Sequence, residues 1–126
     1  MPFLDFSGVY EPETVPEGEY QLRVLSAEIK ASQKTGGDFI QLKLDIPANP
    51  KAKDVTHVMM LPTQKDDPKQ KNSRLSAVQN FLKACGFDNV QNIDEVIGAM
   101  AWAILTEEET TEYGKQNRIK RFVTGR

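Results

Sequence analysis

Gly18-Glu-Tyr-Gln-Leu-Arg-Val-Leu-Ser-Ala-Glu-Ile-Lys30, Ala31-Ser-Gln-Lys-Thr-Gly-Gly37 and Asp38-Phe-Ile-Gln-Leu-Lys-Leu-Asp-Ile46 decide the fold class. In the first piece Tyr20, Leu22 and Val24 alternate with polar residues, and the apolar phase then slips at Leu25-Ser26 to Ala27 and Ile29. A slip of one residue marks a β-bulge, and a bulge bends a strand. The middle piece supplies glycines for a tight turn. The last piece alternates with period two, so Ile40, Leu42, Leu44 and Ile46 share a face that can be buried. Phe39, Gln41, Lys43 and Asp45 share the opposite, wet face. An aromatic, an amide and a lysine side by side there form a platform for something flat and anionic, with single-stranded nucleic acid the first candidate.

Pro47 and Pro50 end this second strand, and Asp54-Val-Thr-His-Val-Met-Met-Leu61 follows as a third. Its buried face is open, with Val58 and Met60 competing against His57, Met59 and Leu61. Residues 62–72 read as polar loop, and Asn72 or Ser73 can cap the helix that follows. That helix carries Leu75, Val78, Phe81, Leu82 and Cys85 at helical spacing and stops at Gly86. A short helical turn is expected over 94–97. A fourth strand over 100–106 sets Met100, Trp102 and Ile104 against Ala101 and Ala103, with Trp102 assigned to the core. After an acidic hairpin tip at 107–112, a fifth strand over 113–123 puts Arg118, Lys120 and Phe122 on one face, opposite Asn117, Ile119 and Arg121. Residues 1–17, with Pro2, Pro12 and Pro16 and the aromatics Phe3, Phe6 and Tyr10, read as an extended acidic-aromatic arm, leaving 18–126 as the domain. Three strands, a helix and two strands is the layout of an OB-fold. The expected fold is therefore all-β with one helix: a five-stranded, OB-fold-like antiparallel barrel with the helix between strands three and four. A generic five-stranded α+β sandwich is the alternative.

With 126 residues the chain has room for one core, and 39% hydrophobic with 27% charged residues is ordinary for a soluble globular domain. No apolar run reaches membrane-spanning length, and Met1-Pro-Phe-Leu-Asp-Phe6 lacks the basic and apolar regions of a secretory signal. One cysteine, Cys85, rules out an internal disulfide and fits a reducing cytoplasm, here expected to be that of a bacterial host cell. The net charge of −2 speaks mildly against a polyanion as partner. Its distribution answers that: Asp5, Glu11, Glu13, Glu17 and Glu19 make the beginning acidic, and Lys115, Arg118, Lys120, Arg121 and Arg126 make the end basic. Local fields follow such clusters more than the total.

The assembled residues resemble the small OB-fold single-stranded-DNA-binding proteins encoded by bacteriophages and prophages. The resemblance rests on the arm Leu4-Asp-Phe-Ser-Gly-Val-Tyr-Glu11, on Pro16-Glu-Gly-Glu-Tyr20 leading into strand one, and on the turn Lys34-Thr-Gly-Gly37. Ala84-Cys-Gly86 at the helix end, then Gly98 and the step Asn117-Arg-Ile119, complete the set, which spans nearly the whole chain. The acidic run Glu107 to Glu109 departs from that family, whose corresponding turn is often basic or short. The resemblance implies coating of single strands during phage DNA replication or recombination.

The candidate DNA-binding residues are Lys30, Lys34, Phe39, Gln41, Lys43, His57, Tyr113, Lys115, Arg118, Lys120 and Phe122. Phe39, with Tyr113 or Phe122, would stack on bases, while the lysines and Arg118 would neutralise phosphates. Each has a plainer reading: Phe39 covered by the arm, the loop lysines merely solvated, the strand-five charges guarding an edge, and His57 a half-exposed strand residue. Asp66, Asp67 and Glu107 to Glu109 lack the glycine spacing of a calcium loop and read as solvated. No nucleophile, base and orienting group occur together, so a non-enzymatic protein without cofactor or metal is expected. The expected partner is single-stranded DNA, with replication or recombination proteins and a homodimer as further candidates and no membrane. The alternative function is a protein-interaction module recruiting replication or recombination partners through its acidic arm.

Overall fold

The computed structural model describes residues 12–32, 37–112 and 114–124. Its strands are β1 (Gly18–Ala31), β2 (Asp38–Asp45), β3 (Val55–Met60), β4 (Met100–Thr110) and β5 (Gly114–Val123). One helix, α1 (Pro68–Ala84), and a 3₁₀ turn (Ile93–Val96) lie between β3 and β4. The strands form one antiparallel sheet in the order β3-β2-β1-β4-β5.

The phase slip in β1 is a bulge. Val24 pairs with Leu44 and Ser26 with Lys43, leaving Leu25 as the extra residue. Because of it Leu22, Val24 and Ala27 all reach the core despite their broken alternation. Ile40, Leu42, Leu44 and Ile46 are buried as their period predicts. The open question of β3 resolves in favour of Val55 and Met59 as buried residues, with half-buried His57 between them on the same face and Val58 48% exposed on the other.

The expected closed barrel is not formed. No backbone ladder joins the edge strands β3 and β5 among the described residues. The chain leading into β1 occupies part of the gap. Lys53 donates its N–H to the Glu13 carbonyl at 2.8 Å, beside a parallel bridge between Glu13 and Ala52. Two residues on, the Asn117 side chain of β5 accepts from the Val15 N–H at 2.9 Å and donates to the Val15 carbonyl at 2.8 Å. A strap of chain thus stands where ladder bonds between the edges would run, and it buries Val15.

Four further expectations are corrected. The helix starts earlier than Asn72: Asp67 caps it, its carboxylate accepting the Gln70 N–H at 2.7 Å, and Pro68 sits in the first turn where its missing N–H costs nothing. Asp66 is not a solvated carboxylate either, since it accepts the Thr63 N–H at 2.9 Å and pairs with Arg74 at 2.7 Å, fastening the loop to the helix. Leu75 is 56% exposed and stays outside the core, which α1 enters chiefly through fully buried Phe81. Gly86 does end the helix, at φ +88°, with Gly86 N–H bonded to Lys83 O and Phe87 N–H to Leu82 O. On β4 the core face is Ala101, Ala103 and Leu105, and Trp102 lies half-buried on the outer face. Small side chains fit there because bulky neighbours fill the space: Ala101 pairs with Leu22, and Ala103 lies between Tyr20 and Phe122.

Candidate nucleic-acid interface

The expected site residues fall into three groups. Lys34 and Tyr113 lie outside the described residues.

The first group is on the outer face of β1, β2 and β3. The register lines up Lys30, Phe39 and Met60 in one row, Glu28, Gln41 and Val58 in the next, and Ser26, Lys43 and Thr56 in the third. Phe39 and Gln41 are half-buried and Lys43 is exposed. The period-two reading of β2 therefore holds, and its neighbours add apolar Met60 and Val58 to the platform.

The second group sits at the hairpin end of the gap between the sheet edges. Lys53 donates from Nζ to the Lys115 carbonyl at 2.9 Å. A small cleft of about 80 Å³ separates Lys53, Asp54 and Thr56 from Gln116, Asn117 and Arg118. Lys43 joins this group through Asp54, 3.6 Å from its Nζ.

The third group lies at the helix end of the same gap. His57 of β3 meets Phe122 of β5 edge to face, ring centroids 5.4 Å apart, and Phe122 rests on Phe81 at 5.1 Å. Lys120 and Arg121 line the cleft beside these rings. The expectation that Arg118, Lys120 and Phe122 share a face is corrected. Ile104 pairs with Arg121 and Leu105 with Ile119, so Lys120 is the extra residue of a bulge. Arg118 stays on the outer side, opposite Thr106, while Phe122 turns inward. Phe122 thereby packs against the core and is half-buried, with part of it lining the cleft beside His57.

The charges are not bare. Lys30 lies 3.5 Å from Glu28, Lys115 3.9 Å from Glu107, and Arg118 3.5 Å from Glu108. Exposed pairs of this kind contribute only about 0–1 kcal/mol, so a phosphate can displace the carboxylate at little cost. Burial lowers the His57 pKa below the ordinary histidine value, leaving the ring neutral at neutral pH. Burial pushes the Cys85 thiol up to about 11, which makes it a poor nucleophile.

Sequence reasoning missed Lys53 and Arg121, and it missed the buried Asn117 clamp. The spacing of Ile119 and Phe122, two apolar residues three apart in a strand, was the signal for the bulge that redirects Arg121.

Fold and site together define a small, mostly-β protein with a basic seam between the two edges of an open sheet. Residues 4–121 match the family described as a protein family of unknown function, DUF669, and the chain belongs to that family. No curated protein matches the chain. Among the described residues no helix is long and apolar enough to cross a membrane.

Proposed function

We propose that this protein binds single-stranded DNA with little sequence preference. The observation that carries the reading is the seam itself. Lys43, Lys53, Lys115, Arg118, Lys120 and Arg121 gather along or beside it from three separate stretches of chain, next to the Phe39 platform. A track of cations beside aromatic and apolar surface suits a flexible strand, whose phosphates and bases can be met separately. A curled, partly open sheet with a helix after its third strand is also compatible with an OB-fold layout. The resemblance to the phage and prophage proteins extends the proposal to strand coating in phage DNA replication or recombination.

A second reading is a module that recruits replication or recombination proteins through the acidic arm. The net charge of −2 and the carboxylates beside Lys30, Lys43, Lys115 and Arg118 favour it. Charge reversal separates the two. Arg118→Glu combined with Lys120→Glu should weaken oligonucleotide binding by about tenfold or more and reduce its salt dependence. Both side chains are exposed, so the unfolding midpoint should hardly move. Unchanged DNA affinity in the folded double variant would remove the seam from the proposal.

A further inference from the structure

The cleft at the helix end of the seam has a volume of about 230 Å³. Its wall includes His57, Asn80, Lys120, Arg121 and Phe122. Three observations single it out.

The first is charge. Among the described strand residues, Arg23, Lys30, Lys43, Lys115 and Arg118 each have a carboxylate within ion-pair distance, whereas no carboxylate of the described residues lies within that distance of Lys120 or Arg121. Two adjacent cations without counter-charge repel each other, and a bound anion relieves that repulsion. The second is backbone geometry. Consecutive side chains of a regular strand point to opposite faces, so Lys120 and Arg121 would ordinarily part. The bulge at Lys120 takes that residue out of the regular alternation beside the cleft, while Arg121, opposite Ile104 on the outer side, contributes to the same rim. The third is the wall. Phe122 is braced by fully buried Phe81 and by His57, so its ring is held in place before any ligand arrives. Asn80, exposed on α1, offers both a donor and an acceptor next to these rings.

A cleft below the roughly 300–1,000 Å³ of drug-sized sites suits one planar heterocycle and its substituent. Rings, an amide and two cations together match a nucleotide better than a bare anion, which would need no rings. We infer that this cleft receives one nucleobase of the bound strand, against His57 and Phe122 with its polar edge toward Asn80, and that Lys120 and Arg121 hold the adjoining phosphate. The inference rests on the single-strand reading and adds to it a base-receiving site away from the β2 platform.

His57 is the only histidine of the chain, so its imidazole NMR signals report on the cleft without ambiguity. Thymidine 5′-monophosphate titrated into the full chain should shift them saturably, and inorganic phosphate should shift them much less. Ala77→Phe, introduced at an exposed α1 position lining the cleft, should weaken the nucleotide response by about tenfold, the scale of one lost base stack. Asn80→Ala, which favours the helix, supplies a second variant if the larger side chain disturbs packing, and it should weaken the nucleotide response while sparing that to phosphate. Equal shifts from phosphate and nucleotide, no shift from either, or responses unchanged in both variants would overturn the inference. Oligonucleotide binding is measured separately. Tight strand binding with silent His57 signals overturns the base site alone, whereas a nucleotide-responsive cleft in a protein that binds no strand overturns the single-strand reading alone.

Discussion

At the scale of single residues, Asn117 carries the most structure per side chain. It is 5% exposed and makes three hydrogen bonds, two to Val15 and one, at 3.1 Å, to the Thr106 carbonyl. Asn117→Ala should cost about 2–4 kcal/mol, because the partners it leaves are poorly hydrated, and denaturant unfolding measures the loss. Amide exchange at Val15 should accelerate in the same variant, since its acceptor is gone. His57 yields a pH prediction. The folded state holds its pKa below the ordinary value, so the unfolded chain takes up a proton that the folded chain refuses. The contribution is complete above about pH 6.5 and is lost as pH falls through that value toward the lower folded one. The urea midpoint should therefore drop between about pH 7.5 and about pH 5.5, and this drop should shrink in His57→Gln. None of this was legible beforehand: Asn117 stood in the sequence as one polar residue in an alternating strand, and its partner Val15 lies 102 positions away.

At the scale of elements, what local pattern encodes was readable and what distant neighbours decide was not. The β1 bulge announced itself because Val24, Leu25 and Ala27 break alternation within four residues. The faces of β2 followed from strict period two. Trp102 misled because hydrophobic size was taken for burial, whereas the alanine face is buried by what β1 and β5 place opposite it. The helix start was encoded in Asp67-Pro68, a cap followed by a first-turn proline, and was masked by the polar composition of residues 68–73. Barrel closure could not be read from the strand order, because it depends on where residues 13–15 settle. The core end of α1 depends on one side chain. Phe81→Ala should cost about 3–5 kcal/mol by denaturant unfolding, and through Phe122 it should also loosen the wall next to His57.

At the scale of the whole molecule, a net charge of −2 coexists with a seam on which basic side chains outnumber their carboxylate partners. Binding through that seam must release counterions. If four phosphates are neutralised, log affinity should fall with log salt at about −0.7 per phosphate, or about −3 in all. A partner protein docking on the acidic arm would give a response unrelated to strand length. The most direct measurement is fluorescence anisotropy of a labelled oligonucleotide, offered as a single strand and as the same sequence in duplex, at low and at moderate salt. Salt-dependent binding of the single strand, with the duplex bound far more weakly, is the predicted result. Equal affinity for both forms, or no binding of either at low salt, would contradict the claim that the seam is a track for single-stranded DNA.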